Sequence, residues 1–185
     1  TGEAGWTFDN INGSLNFVHK PDIALNISAN YGAAPLELSG RVNQQGSSYL
    51  EIKAASLALD DLNPLIRAQY PQLQTPTGKI TGLDVSLSFN KGIVSYAGEA
   101  RLDGIGFDLA GASVRDVKGF VIFSDKNINF YSASLKVAEQ EARFSGKITI
   151  DANEPVFNLH VKTDSFDLVK VLPNAPLKGA LSFNG

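Results

Sequence analysis

The sequence has no cysteine and no methionine, one tryptophan, and two histidines in 185 residues. Without cysteine there is no disulfide framework, no thiolate metal site and no thiol nucleophile. Charge of one sign is scarce too: 16 Lys and Arg stand against 19 Asp and Glu, a net of -3. Phosphate backbones are gripped by a basic stripe, so this balance argues against a nucleic-acid partner. No run approaches the roughly 20 apolar residues of a membrane-spanning helix, and no signal peptide is visible. The first residue is Thr1. The expectation is a piece of a longer protein, with any targeting segment outside it.

The motifs of catalysis are missing as well. There is no Gly-x-Ser-x-Gly elbow and no phosphate loop. His19 and His160 have no partner at metal-ligand spacing and read as solvated surface. Asp60-Asp61 reads as a helix cap rather than an acid/base couple, with Pro64 falling in the first turn. Glu139-Gln140-Glu141 reads as a hairpin turn, and Asp103-Gly104-Ile105-Gly106 as a turn or bulge joining two strands. The expectation is a protein that is not an enzyme and needs neither metal nor cofactor.

What the sequence does have is alternation. Hydrophobic residues make up 43%, enough to bury a core, and they recur at period two, the strand signature. Ile23, Leu25 and Ile27 alternate with Ala24, Asn26 and Ser28; Leu36, Leu38 and Val42 alternate with Glu37, Ser39 and Arg41. Phe144, Ile148 and Ile150 alternate with Ser145, Lys147 and Thr149, and Phe157, Leu159 and Val161 with Asn158, His160 and Lys162. Short turn signals such as Lys20-Pro21-Asp22, Asn90-Lys91-Gly92 and Asp125-Lys126-Asn127 separate the runs. Short loops between alternating strands predict an antiparallel meander of about twelve strands with one apolar and one wet face. Two stretches break the rhythm. Leu62, Leu65, Ile66 and Tyr70 fall at helical spacing before Pro71, which predicts a helix near 61–70; Ser165 to Leu172 is a shorter version ended by Pro173.

An internal repeat runs through the chain. Ile11-Asn12-Gly13-Ser14-Leu15-Asn16-Phe17 matches Val117-Lys118-Gly119-Phe120-Val121-Ile122-Phe123 at an offset of 117 − 11 = 106. Leu38-Ser39-Gly40-Arg41-Val42 matches Phe144-Ser145-Gly146-Lys147-Ile148, again 144 − 38 = 106. Ile52 to Leu59 matches Val161 to Leu168 at 161 − 52 = 109. Leu87-Ser88-Phe89-Asn90 and Leu181-Ser182-Phe183-Asn184 close the two copies. The chain therefore divides into a first repeat, 1–110, and a second, partial one, 111–185. Repeats of this size stack on their neighbours and bury a continuous apolar face. So little helix cannot cover such a sheet, which leaves a sandwich, a closed barrel or a sheet folded into a trough. The glycines at 13, 40, 119 and 146 fall within strands, marking sharp curvature, a narrow place, or room for a bulky neighbour.

The succession Val117-Lys118-Gly119 to Phe123, the strand Asn129 to Val137, Phe144 to Ile148, and Val161 to Phe166-Asp167-Leu168 resembles the TamB/AsmA-like proteins. Leu38 to Val42 followed by Leu57-Ala58-Leu59-Asp60-Asp61-Leu62 repeats the same signature, so the resemblance covers most of the chain. It implies an all-β fold in which an antiparallel sheet curls into an open, taco-shaped trough with an apolar groove and one or two short helices. It also implies non-enzymatic phospholipid transport between inner and outer membranes, in the periplasm, from an inner-membrane anchor outside this segment. The implied partners are phospholipid acyl chains, adjoining repeats of the same chain and an Omp85-type outer-membrane barrel.

The motif matches place Leu15, Phe17, Leu38, Val42, Val121, Phe123, Phe144 and Ile148 at inward positions. Ile23, Leu25, Ile27, Leu36, Leu50, Ile52, Val85, Leu87, Ile128, Phe130, Ile150, Phe157, Leu159 and Val161 complete the expected lining. The alternative is a scaffold or chaperone for outer-membrane protein assembly, pairing a free strand edge with client strands by β-augmentation. A transmembrane barrel would show aromatic girdles; Trp6 is the only tryptophan and the five tyrosines are scattered.

Overall fold

The computed structural model describes residues 7–19, 21–43, 46–69, 74–109, 112–137, 140–150, 156–163 and 179–183. The alternating runs form strands β1 (Asp9–His19), β2 (Asp22–Tyr31), β3 (Ala34–Asn43) and β4 (Ser48–Ala58). After helix α1 (Leu59–Gln69) come the long strands β5 (Gln74–Asn90) and β6 (Ile93–Leu109), 17 residues each. Then follow β7 (Ala112–Ser124), β8 (Asn127–Val137), β9 (Gln140–Thr149), β10 (Val156–Lys162) and β11 (Gly179–Phe183). The strands lie in one sheet in strict chain order, β1 through β11. The ladder is antiparallel from β1 to β10, and β11 runs parallel to β10. Strands β1 and β11 are its edges, so the sheet is open and does not close into a barrel. The expected all-β trough is what the chain builds. Eleven strands appear among the described residues, and the proposed helix at Ser165 to Leu172 lies outside them.

The sheet is bent by bulges. Positive φ occurs at Gly78, Gly82, Gly104, Asp116 and Ser132, crossing β5 to β8, and again in β1 at Asn10. Each lies within or beside a shift in strand register. A bulge adds one residue to a strand, bends it and increases its twist. It also resets which residues point inward. On β6 the inward series Gly98, Ala100, Leu102 resumes at Ile105 and Phe107; on β7 Val121, Gly119 and Val117 resume at Val114. Asp103-Gly104-Ile105-Gly106 therefore lies inside β6 as a bulge and does not join two strands. Of Glu139-Gln140-Glu141, Gln140 and Glu141 belong to β9 rather than to a turn, and Glu139 lies outside the described residues.

Helix α1 begins at Leu59, so Asp60 and Asp61 occupy its first turn rather than its cap, where their charges favour the positive end of the helix dipole. Pro64 sits inside the helix, beyond its first turn, and forfeits a backbone bond to the Asp60 carbonyl. Leu59, Leu62 and Ile66 fall on one stripe and hold the helix against the apolar face. Leu59, Ile105 and Val117 form a buried cluster, ringed by Ile80, Phe107, Val114, Leu135 and Phe144. Leu62 also reaches a second cluster made by Tyr31, Ala34 and Leu57. The core thus sits at one end of the strands, where the helix lies. No large side chain among the described residues is completely buried.

Candidate functional site

Beyond the helix, the apolar face continues without a second layer among the described residues. Its geometry follows from the register. Gly13, Ile27, Leu38, Ile52, Val85, Gly98, Phe123, Ile128, Ile148 and Phe157 are successive cross-strand partners, one from each of β1 to β10. Every member is apolar or glycine. At about 4.8 Å per strand the row runs for roughly 43 Å. A parallel row beside it comprises Leu15, Leu25, Gly40, Leu50, Leu87 and Tyr96. A third comprises Ala100, Val121, Phe130, Gly146 and Leu159. Cross-strand neighbours lie close enough to touch, so each row presents hydrocarbon interrupted only at its glycines.

The sequence-derived lining maps onto these rows in the following way. Ile23, Leu25, Ile27, Leu38, Val42, Leu50, Ile52, Val85, Leu87, Phe123, Ile128, Phe130, Ile148, Phe157, Leu159 and Val161 are half-buried. Leu15, Phe17 and Ile150 are exposed, and Val121 is buried between Ala100 and Phe130. Leu36 and Phe144 are drawn into the helix-end clusters, and the Phe144 ring packs on Phe130 at 5.2 Å between centroids. Val94, Tyr96 and Gly98 on β6, and Phe89 on β5, share the same face and were not in the expected set. Their alternation begins directly after the Asn90-Lys91-Gly92 turn, so period two would have found them.

Two of the strand glycines show why they are glycines. A Cβ at Gly40 would stand 2.2 Å from the Tyr49 carbonyl oxygen, and one at Gly146 the same distance from that of Asn158. Both have φ in the range that side chains avoid, +148 and +135. The adjoining backbones therefore approach too closely for any side chain, in both repeats alike. On the apolar face each leaves a shallow pit, Gly40 between Leu25 and Leu50, and Gly146 between Phe130 and Leu159.

The opposite face is wet and held by ion pairs. Lys53 lies 3.3 Å from both Glu51 and Asp84, and Asp116 pairs with Lys118 at 2.8 Å and Lys136 at 3.5 Å. The Lys118 ammonium holds the Asp116 carboxyl below its usual range, and the Ser113 hydroxyl, then Arg115, does the same for Asp108. A depression of about 670 Å³ lies by β8 to β10, where Phe144 and Val161 meet Ser132, Arg143, Ser145, His160 and Lys162. Seven of its nine lining residues are polar types, unlike the rows. His160 is exposed, and the His19 side chain lies outside the described residues. Among the described residues no three His, Asp or Glu side chains gather as metal ligands, and no helix is long and apolar enough to cross a membrane. The arrangement offers extended apolar contact along the rows.

Comparison with protein-family models, with curated proteins and with solved structures finds no match to this chain.

Proposed function

We propose that this sheet is a segment of a conduit that binds lipid acyl chains along its apolar rows. The observation that carries the reading is the row from Gly13 to Phe157: ten consecutive strands, apolar or glycine throughout and half-buried from Ile27 onward, with no second layer over it among the described residues. Each methylene moved from water onto such a face gains up to about 0.8 kcal/mol, so a 14-carbon chain gains on the order of 10 kcal/mol when fully covered. Movement along the trough requires neighbouring stretches to bind about equally, because one deep site would trap the chain. A lining of Leu, Ile, Val and Phe at regular strand spacing meets that need. An open side leaves a polar head in water, avoiding a desolvation cost of several kcal/mol. Phospholipid as the cargo, a periplasmic setting, an inner-membrane anchor elsewhere, adjoining repeats and an Omp85-type partner rest on the family resemblance. In this reading the protein is non-enzymatic.

Photo-crosslinking tests it. A benzophenone residue at Ile52 or Ile148 is expected to capture lipid in cells, and one at Glu51, on the opposite face of β4, is not. Ile148→Glu or Ile52→Glu should reduce lipid capture at the other row position while leaving the far-ultraviolet β signal intact. Phe144 is unsuited to this test, because its ring belongs to the helix-end core. Lipid capture that is equal on the two faces, or absent from the row, would sink the proposal. A second reading, a scaffold that pairs client barrel strands by β-augmentation, is favoured by the bare edge of β1. It predicts protein adducts from Phe17 without lipid adducts from Ile52.

A further inference from the structure

The same motif occurs in β1 and β7, and the two copies meet different surroundings. Ile11 is 67% exposed and its equivalent Val117 7%; Leu15 is 58% exposed and its equivalent Val121 6%. The backbones match: Asn10 and Asp116 have φ of 52 and 53, Gly13 and Gly119 of 159 and 155. The difference therefore lies in what stands beside each strand. Val117 is packed in the cluster of Leu59, the first residue of α1, and Val121 sits opposite Ala100 of β6. Among the described residues strand β1 pairs with β2 alone, and Phe8, Ile11, Leu15 and Phe17 are exposed. A long edge with exposed apolar residues is an open template for pairing.

Deepening the repeat-array part of the reading above, on which it rests, we infer that β1 is a docking surface for a helix-and-strand unit built like residues 59–109 of this chain. The β6–β7 junction already joins this surface to that partner within the molecule. In its register Gly119 faces Leu102, Val121 faces Ala100 and Phe123 faces Gly98. The docked strand accordingly places equivalents of Leu102, Ala100 and Gly98 opposite Gly13, Leu15 and Phe17, small against large at each step. Ile11 then joins a cluster with the equivalents of Leu59 and Ile105, as Val117 does. A second copy of this chain cannot supply the unit, because its own β6 is already paired with β7. An isolated client strand would complete the ladder and leave Ile11 bare.

The chain has no cysteine, so single thiols report accessibility cleanly. Residues 1–106 are duplicated ahead of the full 185-residue chain, which preserves the spacing of the repeat. Ile11→Cys and Leu15→Cys are placed in the downstream copy, and maleimide labelling rates are compared with those in the unduplicated chain. Both thiols are expected to label at least about tenfold more slowly in the tandem, as for groups that react only on local opening. Leu62→Asp with Ile66→Asp in the upstream unit should restore labelling at position 11 and leave position 15 protected. Unchanged labelling at both positions overturns the inference, whether or not the upstream unit folds. Lipid capture at Ile52 is read on the same samples, so docking without lipid and lipid without docking are separate results.

Discussion

The two ends of the strands use the same residue types and reach different states. At the end under α1, Leu59, Ile105 and Val117 are buried, and Phe107, Val114, Leu135 and Phe144 pack around them. At the other end Ile23, Val42, Phe123, Ile128 and Ile148 stay half-buried, although they too face inward from well-paired strands. Pairing within a sheet shields the flanks of a side chain but not its tip; only a further layer does that. One helix of eleven residues provides such a layer for one end alone. The comparison separates what alternation secures, an apolar face, from what it leaves open, namely whether that face becomes core or surface.

The largest break in the comparison should come from Leu59→Ala. Removing this buried anchor is expected to cost about 2–5 kcal/mol in urea unfolding, as for other buried leucines. Hydrogen exchange in β7 around Val117 should accelerate with it, bringing the roofed end closer to the open one. Ile148→Ala should cost about 1 kcal/mol, because a half-exposed side chain gains only part of the full transfer energy. A cost equal to that of Leu59→Ala would mean that the open end is a packed core, and the conduit reading would fail with it.

The smallest effect concerns acid. Asp116 and Asp108 are held below the ordinary carboxylate value of 3.8, by the Lys118 ammonium and by the Ser113 hydroxyl respectively. A depressed folded-state value means the contribution is present above that ordinary value and is lost as pH falls through the folded one. Asp116→Asn should therefore lower the thermal midpoint slightly at pH 6, by an amount that shrinks to nothing as pH falls through the folded-state value. Both carboxylates lie on the exposed face, so the difference is small and shrinks further in salt.

Much of this was legible beforehand. Alternation in β2, β3, β9 and β10 named the inward residues, and the spacing of Leu62, Leu65 and Ile66 located the helix. The offset of 106 anticipated a likeness that the backbone at Gly13 and Gly119 then displays. The bulges were hidden, because Asn10, Asp116 and Ser132 take positive φ without being glycine. At each one the apolar series skips a residue, so Val114 and Val117 share a face although three apart. To a period-two reading that skip looks like the end of a strand, which is why the 17-residue span of β6 was broken at Asp103-Gly104. The destination of α1 was hidden too. Its stripe announces that something apolar lies beneath, but the cluster that Leu59 joins includes Val117, with Leu135 and Phe144 packed around it, from the following repeat far along the chain.

The crease formed by those bulges is written in main-chain conformation, at Gly78, Gly104, Asp116 and Ser132, while the hydrocarbon surface is written in Leu, Ile, Val and Phe at other positions. Curvature and oiliness are thus specified by separate sets of letters. On the conduit reading, mutational drift among the aliphatic positions would retune how tightly a tail is held without changing the cross-section through which it slides. A change at the crease does the reverse, reshaping the gutter while leaving its grease in place.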